Sequence, residues 1–323
     1  MRFYKSSSLS SVILIMTTVI PLLVGSEMRL VWQHEARLTI DPGGQLVPVW
    51  SGGRLLIVEG SSSQAPIVRA FDQNGLLVSA VSFTIPGADS ISVQGRAAGP
   101  DGMIAVCGSA VDSQGRAGGY VTVISGDTST TTRLFPYIPT AVGISPDKTL
   151  WTAGYEYAPN GKINRESGTL RHYNLSGTVQ KEFIPQVTHK VDAYRTGYLV
   201  VKQDHVGWYT GPIWGPGSRY IEVQKDGKVS EISGIPLQKA SDTVTGVAII
   251  DDDTVFATTY SPSQKRSALF MLDRSKAEWK SVDIVAAMLS QKTLHLYGSQ
   301  GSRLVVNGSD RFGMKVFEVQ TGH

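Results

Sequence analysis

The chain has 323 residues, a formal net charge of +3, 41% hydrophobic residues, six histidines and one cysteine. A near-neutral charge without a long Lys/Arg run argues against a nucleic-acid-binding face. The single cysteine excludes an internal disulfide, so a chain of this length must be held by a large apolar core.

The first residues stand apart. Arg2 and Lys5 form a basic start, Val12 to Val24 is an apolar run broken by Thr17, Thr18 and Pro21, and Gly25 and Ser26 are small. This is the layout of a secretory signal peptide, so residues 1–26 are excluded from the fold and the mature protein is expected to be secreted or periplasmic. The alternative is an uncleaved anchor, since Ser6 to Ser26 is free of charge and nearly reaches the ~20 residues that span a bilayer. A membrane role follows only in that case. Removing Arg2 and Lys5 takes the net charge from +3 to +1.

Beyond residue 26 the sequence repeats. Turn residues followed by an apolar run recur as SGGRLLIVEG from Ser51, GPDGMIAVCG from Gly99, SPDKTLWTAG from Ser145, RTGYLVVKQD from Arg195, DDDTVFATTY from Asp251 and GSQGSRLVVNG from Gly298. Anchored at Gly53, Gly102, Lys148, Gly197, Asp253 and Gly301, they are 49, 46, 49, 56 and 48 residues apart. A second echo follows in most units, as AFDQNGLLV, RHYNLSGTV, IEVQKDGKV and FEVQTG, where Asn-Gly, Ser-Gly and Asp-Gly mark tight antiparallel hairpins. The first runs are continuously apolar and fit strands buried on both faces, while IEVQK and FEVQ alternate and fit strands with one wetter side. No helical period is sustained, and Val282 to Leu289 amounts to two turns at most. Units of this length with about four short strands, stacked radially, predict an all-β protein, a six-bladed β-propeller of four-stranded antiparallel blades spanning residues 27–323. A seventh blade is the alternative, hidden in the 56-residue unit.

The SPDK and GPDG turns followed by an apolar strand resemble the six-bladed propellers of the broad NHL and lactonase-like group. The last unit ends at FEVQTGH without a fourth strand, and MRLVWQHEARLTI, Met28 to Ile40, precedes the first unit as a spare one. The N-terminal strand is therefore expected to complete the last blade, which also removes an exposed sheet edge.

Enzyme templates are missing: the chain has no GxSxG elbow, HExxH, Walker loop or Cys/His cluster. Cys107, in MIAVCG, reads as a buried small hydrophobe, and Asp251-Asp252-Asp253 as a charged turn without calcium-loop spacing. The resemblance implies that ligands bind on the face carrying the loops between second and third strands. Those loops differ in length: the hairpin Gly follows the anchor by 22 residues in the unit of Gly53, 29 in that of Lys148 and 30 in that of Gly197. The extra residues bring Glu156 and Tyr157 in one loop and Asp204, His205, Trp208, Tyr209 and Trp214 in another, with Tyr260, Asp310 and Arg311 from other units. Aromatic rings there would stack on a small ligand or a protein partner, giving a non-catalytic binding module without a cofactor. The same rings would otherwise serve as a lid. The resemblance implies a second reading, a hydrolase of lactones or related esters holding a divalent metal such as calcium, with Glu59, Glu156, Asp204 and Asp310 as its ligands. A third is a structural module within an exported assembly.

Overall fold

The computed structural model describes residues 29–36, 47–191, 197–210, 217–251, 253–283, 293–307 and 313–320. The expected signal segment, Trp214, Asp310, Arg311 and most of Val282 to Leu289 lie outside them. The strands form six antiparallel sheets arranged as the blades of a propeller. From the innermost strand outward, blade 1 is Val49–Ser51, Arg54–Glu59, Ile67–Phe71 and Leu77–Ser82; blade 2 is Ala88–Ala98, Ile104–Asp112, Ala117–Ser125 and Thr128–Arg133; blade 3 is Tyr137–Ile144, Leu150–Glu156, Gly168–Tyr173 and Val179–Pro185. Blade 4 is Tyr198–Val201, His205–Thr210, Arg219–Gln224 and Val229–Ser233, and blade 5 is Thr243–Ile249, Val255–Ser261, Arg266–Asp273 and Glu278–Val282. Blade 6 takes Leu296–Gln300, Arg303–Asn307 and Met314–Gln320 from the end of the chain and Arg29–Ala36 from its start. The expected closure is present: Arg29 lies opposite Gln320 and Ala36 opposite Met314. Blade 2 departs from the four-stranded rule, because Ser62–Ser63 adds a short fifth strand on the channel side of Ala88–Ala98.

Six apolar layers, one between each pair of neighbouring blades, make up most of the core. They explain the continuous apolar runs of the second strands. In blade 1, Leu55 and Ile57 pack toward blade 6 while Leu56 and Val58 pack toward blade 2. In blade 5, Val255 and Ala257 face blade 4 and Phe256 faces blade 6. Alternate side chains enter different layers, so both faces of the strand must be apolar. The outer strands have only one neighbour in their own sheet, and TSTTTR of blade 2 shows the polar texture that position allows.

The repeated anchor is a backbone conformation. Gly53, Gly102, Lys148, Asp253 and Gly301 all have positive φ, at 76°, 75°, 65°, 64° and 61°, in the turn from innermost to second strand. That region costs a residue with a Cβ about 1–2 kcal/mol, which accounts for glycine at three of the five positions. The fourth unit breaks the pattern. Gly197 precedes the innermost strand, and the turn corresponding to the other anchors is formed by Lys202–Asp204, closed by the Lys202 N–H donating to the His205 carbonyl at 2.9 Å. The extra length therefore falls between blades 3 and 4, where the chain makes a short helix at Gln186–His189, and not inside blade 4.

These turns share one face of the ring. Lys148 pairs with Asp101 at 2.7 Å and Lys202 with Asp251 at 3.7 Å, each linking neighbouring blades, and the Ser51 hydroxyl donates to the Ala98 carbonyl at 2.8 Å. The loops between second and third strands open on the other face, as antiparallel pairing requires. Deleting residues 1–36 should lower Tm by at least about 5 °C, the equivalent of a few kcal/mol in a domain this large. Unchanged melting, followed by circular dichroism, would contradict closure by the chain ends.

Candidate functional site

The residues singled out in the sequence separate in space. Trp208 and Tyr209 belong to the second strand of blade 4, not to a loop, and both are fully buried. Trp208 packs in the layer against blade 3 and Tyr209 in the layer against blade 5, with its hydroxyl 2.8 Å from that of Ser218. Neither ring reaches solvent to stack on a ligand. The misplacement follows from the fourth unit: YLVV looks like a second strand but is an innermost one, which shifted HVGWYT into an apparent insertion.

Asp204 and His205 fall on the turn face. The Asp204 carboxylate is exposed and lies 2.8 Å from His205 Nδ1, and the imidazole holds it below its ordinary value. His205 is buried, between Asp204 and Glu222. Glu59, Glu156, Tyr157 and Tyr260 occupy or adjoin the ends of second strands, on the loop face. Tyr157 packs beside Tyr155 at 5.4 Å and belongs to a small cluster with Ile138 and Ile163; Tyr260 stands half-buried two blades away.

The acids named as metal ligands are committed elsewhere. Glu59 accepts from Arg69 Nε at 2.7 Å. Glu156 accepts from Asn164 and Ser167 at 3.0 Å each and from Arg171 at 2.5 Å, while the Arg171 guanidinium sits 4.0 Å above the Tyr137 ring. Burial alone would raise the Glu156 carboxyl, but these hydrogen bonds outweigh it and hold the group below its ordinary value. With Asp204 on the opposite face, Glu59, Glu156 and Asp204 do not converge on one ion. No group of three or more His, Cys, Asp or Glu residues suited to a metal occurs among the described residues. Their arrangement does not fit a channel metal.

What the fold does build is a central cavity of about 880 Å³, walled by the innermost strands of all six blades. In four of them the sheet register slips by one residue at an equivalent place, skipping Gln94, Thr140, Thr245 and Tyr297, and all four lie on the cavity wall. Such bulges re-aim a residue out of the ladder. The next residue is small each time: Gly95, Ala141, Gly246 and Gly298. The reason is crowding near the axis. A Cβ on Gly246 would lie 2.2 Å from the Leu296 carbonyl oxygen, and one on Gly298 2.1 Å from that of Trp50. The short recurrences VQG, PTA, VTG and LYG are the sequence signal for this ring, unremarkable until the innermost strands are located.

The wall is hydroxyl- and amide-rich between apolar residues. Thr245 is already bonded, donating to the Leu294 carbonyl at 2.6 Å and lying 3.0 Å from Thr258 Oγ1, from which it accepts, and Gln94 is half-buried. Among the described residues the wall carries one carboxylate, Asp251, paired with Lys202, and no histidine or cysteine. Its other cation is Arg96. Cys107 lies behind it, fully buried, with its thiol pushed up by burial.

No protein-family model matches the chain, and no curated protein does. Solved structures match along most of its length. A protein of unknown function from Dyadobacter fermentans is 9% identical with a TM-score of 0.52, over 90% of this chain and 99% of its own. A glucose dehydrogenase is 12% identical at 0.48, over 91% and 99%, and a gluconolactonase from Xanthomonas campestris is 10% identical at 0.44, over 90% and 99%. At 9% identity the likeness to the Dyadobacter fermentans protein is one of fold alone.

Two outcomes follow for the residues described. Trp208→Ala should destabilise the protein by about 3–5 kcal/mol, as for other fully buried aromatics, read as a fall in the urea midpoint; an unaltered midpoint would place the ring at the surface. Glu156→Gln should cost about 1–2 kcal/mol at pH 7, less than in a fully buried pair because the carboxylate reaches solvent. A carboxyl depressed in the folded state adds stability above its unfolded pKa and loses it as pH falls through the folded value. Stability of the parent should thus decline below about pH 4, with a shallower slope in the variant; parallel slopes would contradict the assignment.

Proposed function

We propose that the protein is an exported binding module that holds a small ligand in its central cavity without chemical conversion. The observation that carries this reading is the cavity itself, about 880 Å³ and walled by all six innermost strands. Small-molecule sites are concave, of ~300–1,000 Å³, with polar groups set among apolar ones; this cavity has that size, and its wall mixes hydroxyl and amide groups with apolar residues. General acid–base catalysis needs a titratable group poised over the substrate; the described wall offers the Lys202–Asp251 pair, an arginine and two tyrosines, Tyr198 and Tyr297, and the Tyr198 hydroxyl is already committed to the Val244 carbonyl at 3.1 Å. Export rests on the basic, apolar and small-residue pattern of residues 1–26.

The test is ligand screening by thermal shift on the purified mature protein, with Gln94→Trp as the control, since an indole at that bulge would occupy cavity space. At least one small polar compound should raise Tm in the parent and fail to do so in a folded Gln94→Trp variant. Equal shifts in both would move the site out of the cavity, and a compound consumed during incubation would replace binding by catalysis.

A further inference from the structure

We propose that Arg96 makes the central cavity a site for a small organic monocarboxylate. This rests on the cavity reading above and narrows it to one chemical class. Arg96 follows the Gln94 bulge by two residues on the innermost strand of blade 2, opposite Val106. It lines the cavity and is only 6% exposed. Its Nε and Nη2 are buried without a hydrogen-bond partner, and no carboxylate pairs with it among the described residues.

Burial lowers this guanidinium to about 10, so it is still protonated at neutral pH. The nearby Cys107 thiol, raised by burial, is neutral there and supplies no counter-charge. An ion buried without a partner costs several kcal/mol, and buried polar groups as a rule have partners. A bound anion would offset that cost.

Three features select the anion. Lys202 is already matched by Asp251 at 3.7 Å, so the described wall carries one unmatched positive charge. A carboxylate carries one negative charge, whereas a phosphate monoester carries about −1.5 to −2 and would leave a surplus. The planar fork of a guanidinium also matches the two oxygens of a carboxylate. Finally, a cavity of about 880 Å³ is far larger than a bare inorganic ion, and its mixed wall suits an organic body behind the charged end.

Acetate is the probe, because it presents the carboxylate without requiring the rest of the ligand. At matched ionic strength and pH 7, acetate should raise Tm of the mature protein above its value in chloride or with neutral acetamide. Arg96→Met should bind acetate at least about tenfold more weakly, as expected for a charge-assisted hydrogen bond, while its ligand-free Tm should not fall below the parent's. Arg96→Lys keeps the charge without the fork and should respond less than the parent; it also serves if the methionine variant does not fold. The assignment is overturned if the parent is indifferent to acetate, if Arg96→Met or Arg96→Lys keeps the full response, or if inorganic phosphate stabilises more than acetate. If neutral compounds bind in the cavity and acetate does not, the monocarboxylate falls and the cavity reading stands; if nothing binds in the cavity, both fall.

Discussion

The apolar layer between neighbouring blades is the contact on which everything else in this protein depends. A four-stranded sheet with Leu55, Leu56, Ile57 and Val58 side by side on one strand cannot stand alone in water, because burying one face leaves the other exposed. Stacking blades solves this only if the stack closes on itself. The layer formed by Trp50, Leu55, Ile57 and Phe71 of blade 1 with Tyr297, Val305, Met314 and Val316 of blade 6 is where it closes. Placing Arg29–Ala36 on the outside of blade 6 secures the sheet that carries half of that layer. With its single cysteine the chain has no internal disulfide to replace this closure.

Closure sets the geometry of the axis. Six innermost strands meet there, close enough that Gly246 and Gly298 have no room for a side chain. Their bulges lift Gln94, Thr140, Thr245 and Tyr297 out of the regular ladder and onto the cavity wall. The fold thus gathers polar atoms at its centre while its apolar ones pack between blades. Arg96 is the extreme case, a buried guanidinium whose Nε and Nη2 have no hydrogen-bond partner among the described residues. Glu59 and Glu156, the acids nearest in kind to channel ligands, are held instead by arginines on the adjacent third strands, Arg69 and Arg171.

The architecture was legible in the sequence because it is written in local patterns. The positive-φ turns, the two-sided apolar runs and the hairpin glycines each recur at the spacing of a blade, and the spare strand at Met28 to Ile40 pointed to the closure. The fourth unit is deceptive in sequence because a short innermost strand and a second strand have the same texture when both are buried: YLVV carries more apolar signal than HVGWYT, which contains His205 and Gly207. That likeness turns Trp208 and Tyr209 into apparent loop residues and sets Asp204 on the wrong face. Arg96 carries no signal in the sequence for a different reason. In VQGRAAG it stands beside a turn, and only the convergence of strands from six blades makes its surroundings buried and its charge unmatched.

The most direct test of a ligand site on the axis is anomalous diffraction from a crystal soaked in 4-bromobenzoate. The account requires a bromine peak inside the channel, with the carboxylate within hydrogen-bond distance of the Arg96 guanidinium. Bromine bound only on the loop face, or a channel left empty at saturating soak, would contradict it.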